Sequence, residues 1–446
     1  MIVHYLPTVI FLFLIAWFLL ANSRKHIILV YTGTVVSYLN VFPLVNQFFL
    51  QDVDSFLFFK YQLIIIIFFE APLVLSAILC SKGNTKPGFV SSDKIKSPVI
   101  LHIFLFILVS VFWFVSIRYN LFFRRQGHEG LARISLSVPI VFLYIYRATT
   151  EMSFFIINIL ANQYFQVKKT RQRSSVLVFS LTLYIFTFIP FYLSNSRMHL
   201  VLLLLTLLCL QPQLKGMLQR KLLFIGLFVF ILCLIIGVTI LREVIIEGND
   251  RLDVRSFNAA IMSALELIAN RMDPLITLYE LDQYLPDIFR LNLDGYLGIF
   301  DMYSETAKES ALTSSSVLIA NSMTWSGSTD FMKTMFLDSY LSFGVVGTII
   351  ISLFLGGIVG WVQCQLLDLE IFGGRSLLAM YLFILLLQFE KEFAGFLSST
   401  VKWLPVFFIL YLLIVRKKAR LLLVFDGRKS KLADNVNVSG GGINLA

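Results

Sequence analysis

Charge is scarce in this chain. Asp, Glu, Lys and Arg make up 14% of its 446 residues, where an average soluble domain carries about 25%. That shortage excludes an ordinary soluble protein. No P-loop, GxGxxG, HExxH or cluster of cysteine and histidine ligands is present, so neither ATP hydrolysis nor zinc catalysis has a foothold, and we expect no metal and no cofactor. The four cysteines, Cys80, Cys209, Cys233 and Cys364, fall in apolar runs or at their inner ends, which argues against a disulfide framework or a cysteine metal site. Met1 to Ala21 has no basic leader, and its positive charges, Arg24 and Lys25, come after the apolar stretch; this predicts an uncleaved first span, not a removed signal peptide. There is no internal repeat of the kind that marks many transporters.

What the chain has in abundance is apolar surface: 58% hydrophobic and 15% aromatic residues, with a mean hydropathy of +0.81. Apolar runs of about 17 to 25 residues, each able to cross a hydrocarbon core about 30 Å thick, recur along most of the length. Lipid admits only helices or closed barrels, and continuous runs mean helices. The spans fall at about 5 to 21, 27 to 50, 56 to 81, 98 to 117, 137 to 162, 175 to 193, 198 to 210, 221 to 241, 335 to 361, 375 to 390 and 401 to 415. The expected fold is therefore an all-α polytopic membrane protein of about eleven spans, ten to twelve, with one large helical outer loop. Its parts are an N-terminal transmembrane bundle (1–241), the loop (242–334), C-terminal transmembrane helices (335–415) and a basic tail (416–446). The seventh span and the last two are short enough to be re-entrant pieces or tilted helices.

Lysine and arginine set the orientation. Arg24 and Lys25, Lys82 to Lys96, Lys168 to Arg173, Lys215 to Lys221, Arg375 and the tail from Arg416 to Lys431 fall in alternate loops. By the positive-inside rule these are cytoplasmic, which puts the N-terminus and the 242–334 loop outside, in a bacterial inner membrane. The net charge of +10 then reflects topology and contact with anionic lipid headgroups, and nucleic acid is an unnecessary partner.

A second basic set lies on the opposite side. The outer loops carry ten arginines, Arg118, Arg124, Arg125, Arg133, Arg197, Arg242, Arg251, Arg255, Arg271 and Arg290, against four lysines, Lys308, Lys333, Lys391 and Lys402. Arginine's planar fork grips phosphate through two hydrogen bonds where lysine offers a point charge. The outer arginines thus point to a site for a phosphate or pyrophosphate at the membrane surface. Arg251, Arg255, Arg271 and Arg290 sit among carboxylates such as Glu247, Asp253 and Asp273 and read as solvated surface charge. Arg197, in the tight Ser194-Asn195-Ser196-Arg197 link, and Arg242 stand where spans reach the outer interface. Arg118, Arg124, Arg125 and Arg133 share a short loop with Phe122, Phe123 and His128, which suits either phosphate binding or interfacial anchoring.

Charges inside the spans are costly and so are candidates for function. Arg147 and Glu151, four apart on one helix, can satisfy each other. Lys60 is near enough to the surface to snorkel, whereas Glu70 is deeper and has no partner visible in the sequence. Asp52 and Asp54, in a short outer loop, suit a metal or base role or simply a solvated turn. The 242–334 loop reads as several short helices broken at Asp273-Pro274 and Leu285-Pro286, a lid on the membrane whose Tyr279, Tyr284, Tyr296, Tyr303 and Trp325 suit sugar stacking or the interface itself.

Ser194-Asn195-Ser196-Arg197 opening a leucine-rich span, the large outer loop before the third-last span, and Asp338-Ser339-Tyr340-Leu341-Ser342-Phe343-Gly344-Val345-Val346-Gly347 together resemble the Wzy-type O-antigen (oligosaccharide repeat-unit) polymerases. The resemblance covers nearly the whole chain as topology, and these two stretches as sequence. It implies a glycosyltransferase moving a growing glycan from undecaprenyl pyrophosphate to the next lipid-linked repeat unit on the periplasmic leaflet. Its partners would be that lipid-linked oligosaccharide, membrane lipids and a chain-length regulator protein. Arg197, with one or more of Arg118, Arg124, Arg125 and Arg242, would clamp the pyrophosphate. O-antigen ligases are similar here but carry a histidine about ten residues before the first paired glycine; this chain has Thr334 at that place before Gly344, which favours the polymerase. Glu390 and Glu392 are the base candidates, with His128, Glu129, Asp330 and Asp338 as others. The competing class is a repeat-unit flippase or other transporter working through Glu70, Arg147 and Glu151.

Overall fold

The computed structural model describes residues 26–41, 43–44, 55–82, 98–119, 334–366 and 374–387, shorter pieces between 139 and 160 and between 393 and 412, and positions 182 and 206. In hydrocarbon the backbone must satisfy its own hydrogen bonds, and the elements formed here are all helices. They are α1 (His26–Val36) with a π-helical turn π1 (Ser37–Val41); α2 (Ser55–Ile64), π2 (Ile65–Glu70) and α3 (Ala71–Lys82), continuous with one another; α4 (Pro98–Arg118); α5 (Met335–Leu366); and α6 (Gly374–Leu386). Pro98 opens α4, where its missing N–H costs nothing. Thr334 caps α5, its Oγ1 accepting the Leu337 N–H at 3.1 Å.

Three described helices are long and apolar enough to cross a membrane: Phe58–Lys82, Ile100–Arg118 and Met335–Leu366. They fall on the expected spans at 56 to 81, 98 to 117 and 335 to 361. Leu75, Leu79, Ile103, Phe106, Ile117, Val346 and Ile350 are all more than half exposed, an outward apolar surface that hydrocarbon can cover. The described part is thus all helical and fits a helical membrane protein. The expected spans at 27 to 50 and 375 to 390 are mostly described and hold the shorter apolar helices Ile27–Val41 and Leu377–Leu386. The other spans lie wholly or largely outside the described residues, as does the 242–333 stretch of the outer loop.

Among the described residues, α3 and α5 come to backbone contact. A Cβ placed on Gly356 would lie 2.2 Å from the Leu73 carbonyl oxygen, and one on Gly360 2.4 Å from that of Ala77. Hydrogen alone on those two Cα atoms lets the backbones touch, as small residues four apart do between membrane helices. Ser76 Oγ adds a 2.8 Å bond to the Leu353 carbonyl, and Cys364 Sγ reaches the Ser81 carbonyl at 3.3 Å. Gly356 meets Leu73, Gly360 meets Ala77 and Cys364 meets Ser81, so the two helices run parallel. Parallel membrane helices need an odd number of crossings between them.

The other contacts also follow chain direction. Ile27 and Ile28 N–H groups, orphan donors at the start of α1, both donate to Gln363 Oε1, at 2.8 and 3.2 Å. At its far end α1 leads to Asn40, which contacts Glu70, so α1 runs opposite to α3. Thr149 Oγ1 bonds the Leu108 carbonyl at 3.3 Å, and Phe142 packs on Phe114 at 5.7 Å, the antiparallel pairing expected of consecutive spans. Tyr381 of α6 stacks on Phe407 at 4.9 Å, meets Phe155 edge-on and donates to the Thr400 carbonyl at 3.1 Å.

The parallel register makes a direct prediction. In a Cys209→Ser, Cys233→Ser background, a short bis-methanethiosulfonate reagent should join Cys80 to Cys364 within one chain. Mass spectrometry of the linked peptides reads the result, and an antiparallel arrangement would leave those two thiols unlinked.

Candidate functional site

Two segments wind with one extra residue per turn, and they face each other. In π2 the Ala71 N–H donates to the Ile66 carbonyl, five residues back. Such turns are rare and gather at functional positions. Asn40 belongs to π1 and Glu70 to π2, and both are buried. Asn40 Nδ2 donates to Glu70 Oε1. Gln62 Nε2, from α2, donates to the Leu39 carbonyl in π1 at 3.2 Å. Three oxygens of this group, Glu70 Oε2, Asn40 Oδ1 and Gln62 Oε1, are buried without a hydrogen-bond partner. Glu70 precedes Lys82 by twelve residues, which at 1.5 Å per residue is roughly 18 Å along the helix. That depth is well inside a hydrocarbon core about 30 Å thick.

A second polar group comes to the same level by a sharp turn. Gly344 has φ 64° and ψ −161°, a region essentially closed to side-chain-bearing residues. Phe336 packs edge-on against Phe69 at 5.5 Å, while Gly356 packs on Leu73. A straight helix would separate Phe336 from Gly356 by roughly 30 Å, yet Phe69 and Leu73 are roughly 6 Å apart along theirs. Met335–Phe343 therefore folds back beside the first part of the main helix, as a short re-entrant helix. Its cap Thr334 and its own Asp338, Ser339 and Ser342 are all buried, and Ser342 Oγ donates to Asp338 Oδ1 at 3.3 Å. Asp338 also lies in the first turn, where the helix end favours a carboxylate. Non-spanning backbone at this depth is tolerated only where protein covers it, as here. The sequence suggested one straight span from 335; the structure instead divides it at Gly344, because no other residue type turns the chain there without strain.

Gly344→Ala tests that turn. No atom lies within 4 Å of a Cβ built at Gly344, so the cost is purely one of backbone conformation, about 1–3 kcal/mol. A lowered melting temperature in detergent, with Gly33→Ala in an open helical position equal to the parent or raised, is the expected outcome.

Of the residues expected to bind pyrophosphate, Arg118 ends α4 and is exposed. Arg124, Arg125, Arg197 and Arg242 lie outside the described residues, as do Glu390 and Glu392, Arg147 and Glu151, Asp52 and Asp54, and His128, Glu129 and Asp330. Asp338 is placed, buried beside Ser342. Lys60 is exposed, with its ammonium 5.2 Å from the Tyr61 ring centre. Glu70 acquires the partner that sequence inspection did not find, Asn40. Asn40, Gln62 and Gln363 were missed because only charged residues were weighed within apolar runs. Uncharged amides at those positions carry the same signal of a buried polar contact.

No family model, curated protein or solved structure matches this chain.

Proposed function

We propose that this chain is a membrane glycosyltransferase that polymerises lipid-linked oligosaccharide repeats at the periplasmic face of the inner membrane. The observation that best supports this reading is the re-entrant helix Met335–Phe343. It falls in the stretch that resembles the polymerases, follows directly on the long outer loop, and holds Asp338 in a buried polar setting. Exclusion of bulk water from around a reacting carboxylate is what such a transfer needs.

In the proposed reaction the acceptor hydroxyl of the incoming lipid-linked unit attacks the anomeric carbon of the growing chain. The bond from that carbon to the pyrophosphate oxygen breaks, and undecaprenyl pyrophosphate leaves with the electron pair. Arg197, helped by Arg242, Arg118, Arg124 and Arg125, stabilises the charge that develops on the leaving group. A carboxylate takes the hydroxyl proton; Asp338 joins Glu390 and Glu392 as a candidate for that role. No metal is required, because the arginines supply the positive charge. A deletion strain complemented with this chain tests the proposal: restoration of a polysaccharide ladder from single-repeat material is the expected result, and its absence with a well-expressed chain counts against the polymerase.

A further inference from the structure

We propose that Asn40 and Glu70 form a binding site for one monovalent cation, a proton or an alkali ion, in the membrane interior. The site is independent of the glycosyltransferase reading. Glu70 is 1% exposed, at mid-span, and one of its carboxyl oxygens already accepts the Asn40 amide N–H. The other oxygen, Oε2, and the oxygen of that same amide, Oδ1, have no hydrogen-bond partner. Two hard acceptors on side chains joined to each other are thus left open in a setting where an uncompensated carboxylate is costly.

Among the described residues no basic group pairs with Glu70. Lys60 of α2 is exposed over Tyr61, and Lys82 closes α3 roughly 18 Å away. The other ionisable groups on the elements against π2 are Asp338, the thiols of Cys80 and Cys364, and the phenols Tyr31, Tyr38, Tyr61 and Tyr340, none of which carries positive charge, and His26, which opens α1 fourteen residues before Asn40, roughly 21 Å along the helix. One cation resolves both open oxygens together. A proton on Oε2 donates to Oδ1, closing a ring of two hydrogen bonds between acid and amide. An alkali ion is instead coordinated by the same two oxygens, the ligand type that hard cations prefer. Asn40 Nδ2 holds the arrangement in either case, because its bond to Oε1 fixes which way the amide points.

The test uses the full chain in lipid nanodiscs and N,N′-dicyclohexylcarbodiimide, a lipid-soluble reagent that adds to protonated carboxyl groups in hydrocarbon. Peptide mass spectrometry reads the adduct at Glu70, with Glu70→Gln as the blank. A proton site gives an adduct that is lost as buffer goes from mildly acidic to alkaline and is indifferent to sodium or choline chloride. An alkali-ion site gives an adduct in choline chloride that sodium, lithium or potassium chloride removes at constant pH. In either case Asn40→Ala shifts the midpoint of the loss, because one of the two oxygens is gone. An adduct indifferent to both pH and salt, or no adduct under any condition, overturns the proposal, and the wild-type result does not depend on whether the variants fold.

Discussion

On the polymerase proposal, Arg197→Ala should collapse the long polysaccharide ladder to single-repeat material while leaving those single repeats on the cell surface. The physical reason is the leaving group. Breaking the bond to pyrophosphate concentrates negative charge on its oxygens in the transition state, and a preorganised arginine lowers that barrier far more than a mobile counterion does. Loss of one such donor typically slows the chemical step by about 10²–10³. Repeated addition makes chain length sensitive to that factor, because each step competes with removal of the chain from the polymerase. Arg197→Lys keeps the charge and loses the bidentate fork, so an intermediate, shortened ladder is expected. An unchanged ladder in Arg197→Ala, at equal protein level, would remove Arg197 from the mechanism and leave the polymerase reading without its leading residue. A flippase predicts a different pattern: repeats trapped on the cytoplasmic leaflet, with Arg147, Glu151 and Glu70 as the sensitive positions.

Gly356→Ala and Gly360→Ala should each destabilise the folded chain, and the double variant should do so severely. The added methyl at Gly356 meets the Leu73 carbonyl oxygen at 2.2 Å; at Gly360 it meets the Ala77 oxygen at 2.4 Å and Cys80 Cβ at 2.7 Å. Backbone cannot swing aside as a side-chain tip does, so the helices must separate and the contacts on either side loosen. Overpacking of this kind costs about 1–3 kcal/mol for one site. Ser76 Oγ to the Leu353 carbonyl and Cys364 Sγ to the Ser81 carbonyl would lengthen with it. Gly357→Ala is the internal control. Its methyl would find only Ser76 Oγ at 3.7 Å and Cys80 Sγ at 3.9 Å, ordinary contacts. There the better helix propensity of alanine should leave stability equal or raised, by about 0.5–1 kcal/mol at most. Melting of the purified protein in detergent orders the variants. The Cys80 to Cys364 linkage should weaken in the 356 and 360 variants and persist in the 357 variant.

The spans were legible because hydrocarbon imposes a length and a composition on any helix that crosses it. The third expected span, 56 to 81, coincides within a residue with Ser55–Lys82, and the fourth with Pro98–Arg118. The Gly356-x-x-x-Gly360 spacing is also there to be read, but nothing in it says that Leu73 and Ala77 are its partners. The site was legible only in part. Glu70 stood out as a buried charge, whereas Asn40, thirty residues earlier, has no periodic or compositional link to it. The re-entrant turn was hidden inside an apolar run that looks continuous, since Gly344 is one glycine among 24. The arginines Arg124, Arg125, Arg197 and Arg242 lie outside the described residues and rest on sequence alone.

By itself the sequence determined that the chain has helices apolar enough to cross a membrane and where two of them, Ser55–Lys82 and Pro98–Arg118, begin and end, because burial in lipid acts on each segment separately through its apolar content. Tertiary structure alone decided that α3 and α5 run parallel at backbone contact, that Met335–Phe343 folds back at Gly344, and that Asn40 meets Glu70. Each of those depends on the shape of two surfaces meeting and on which polar groups find partners, quantities that no single segment contains.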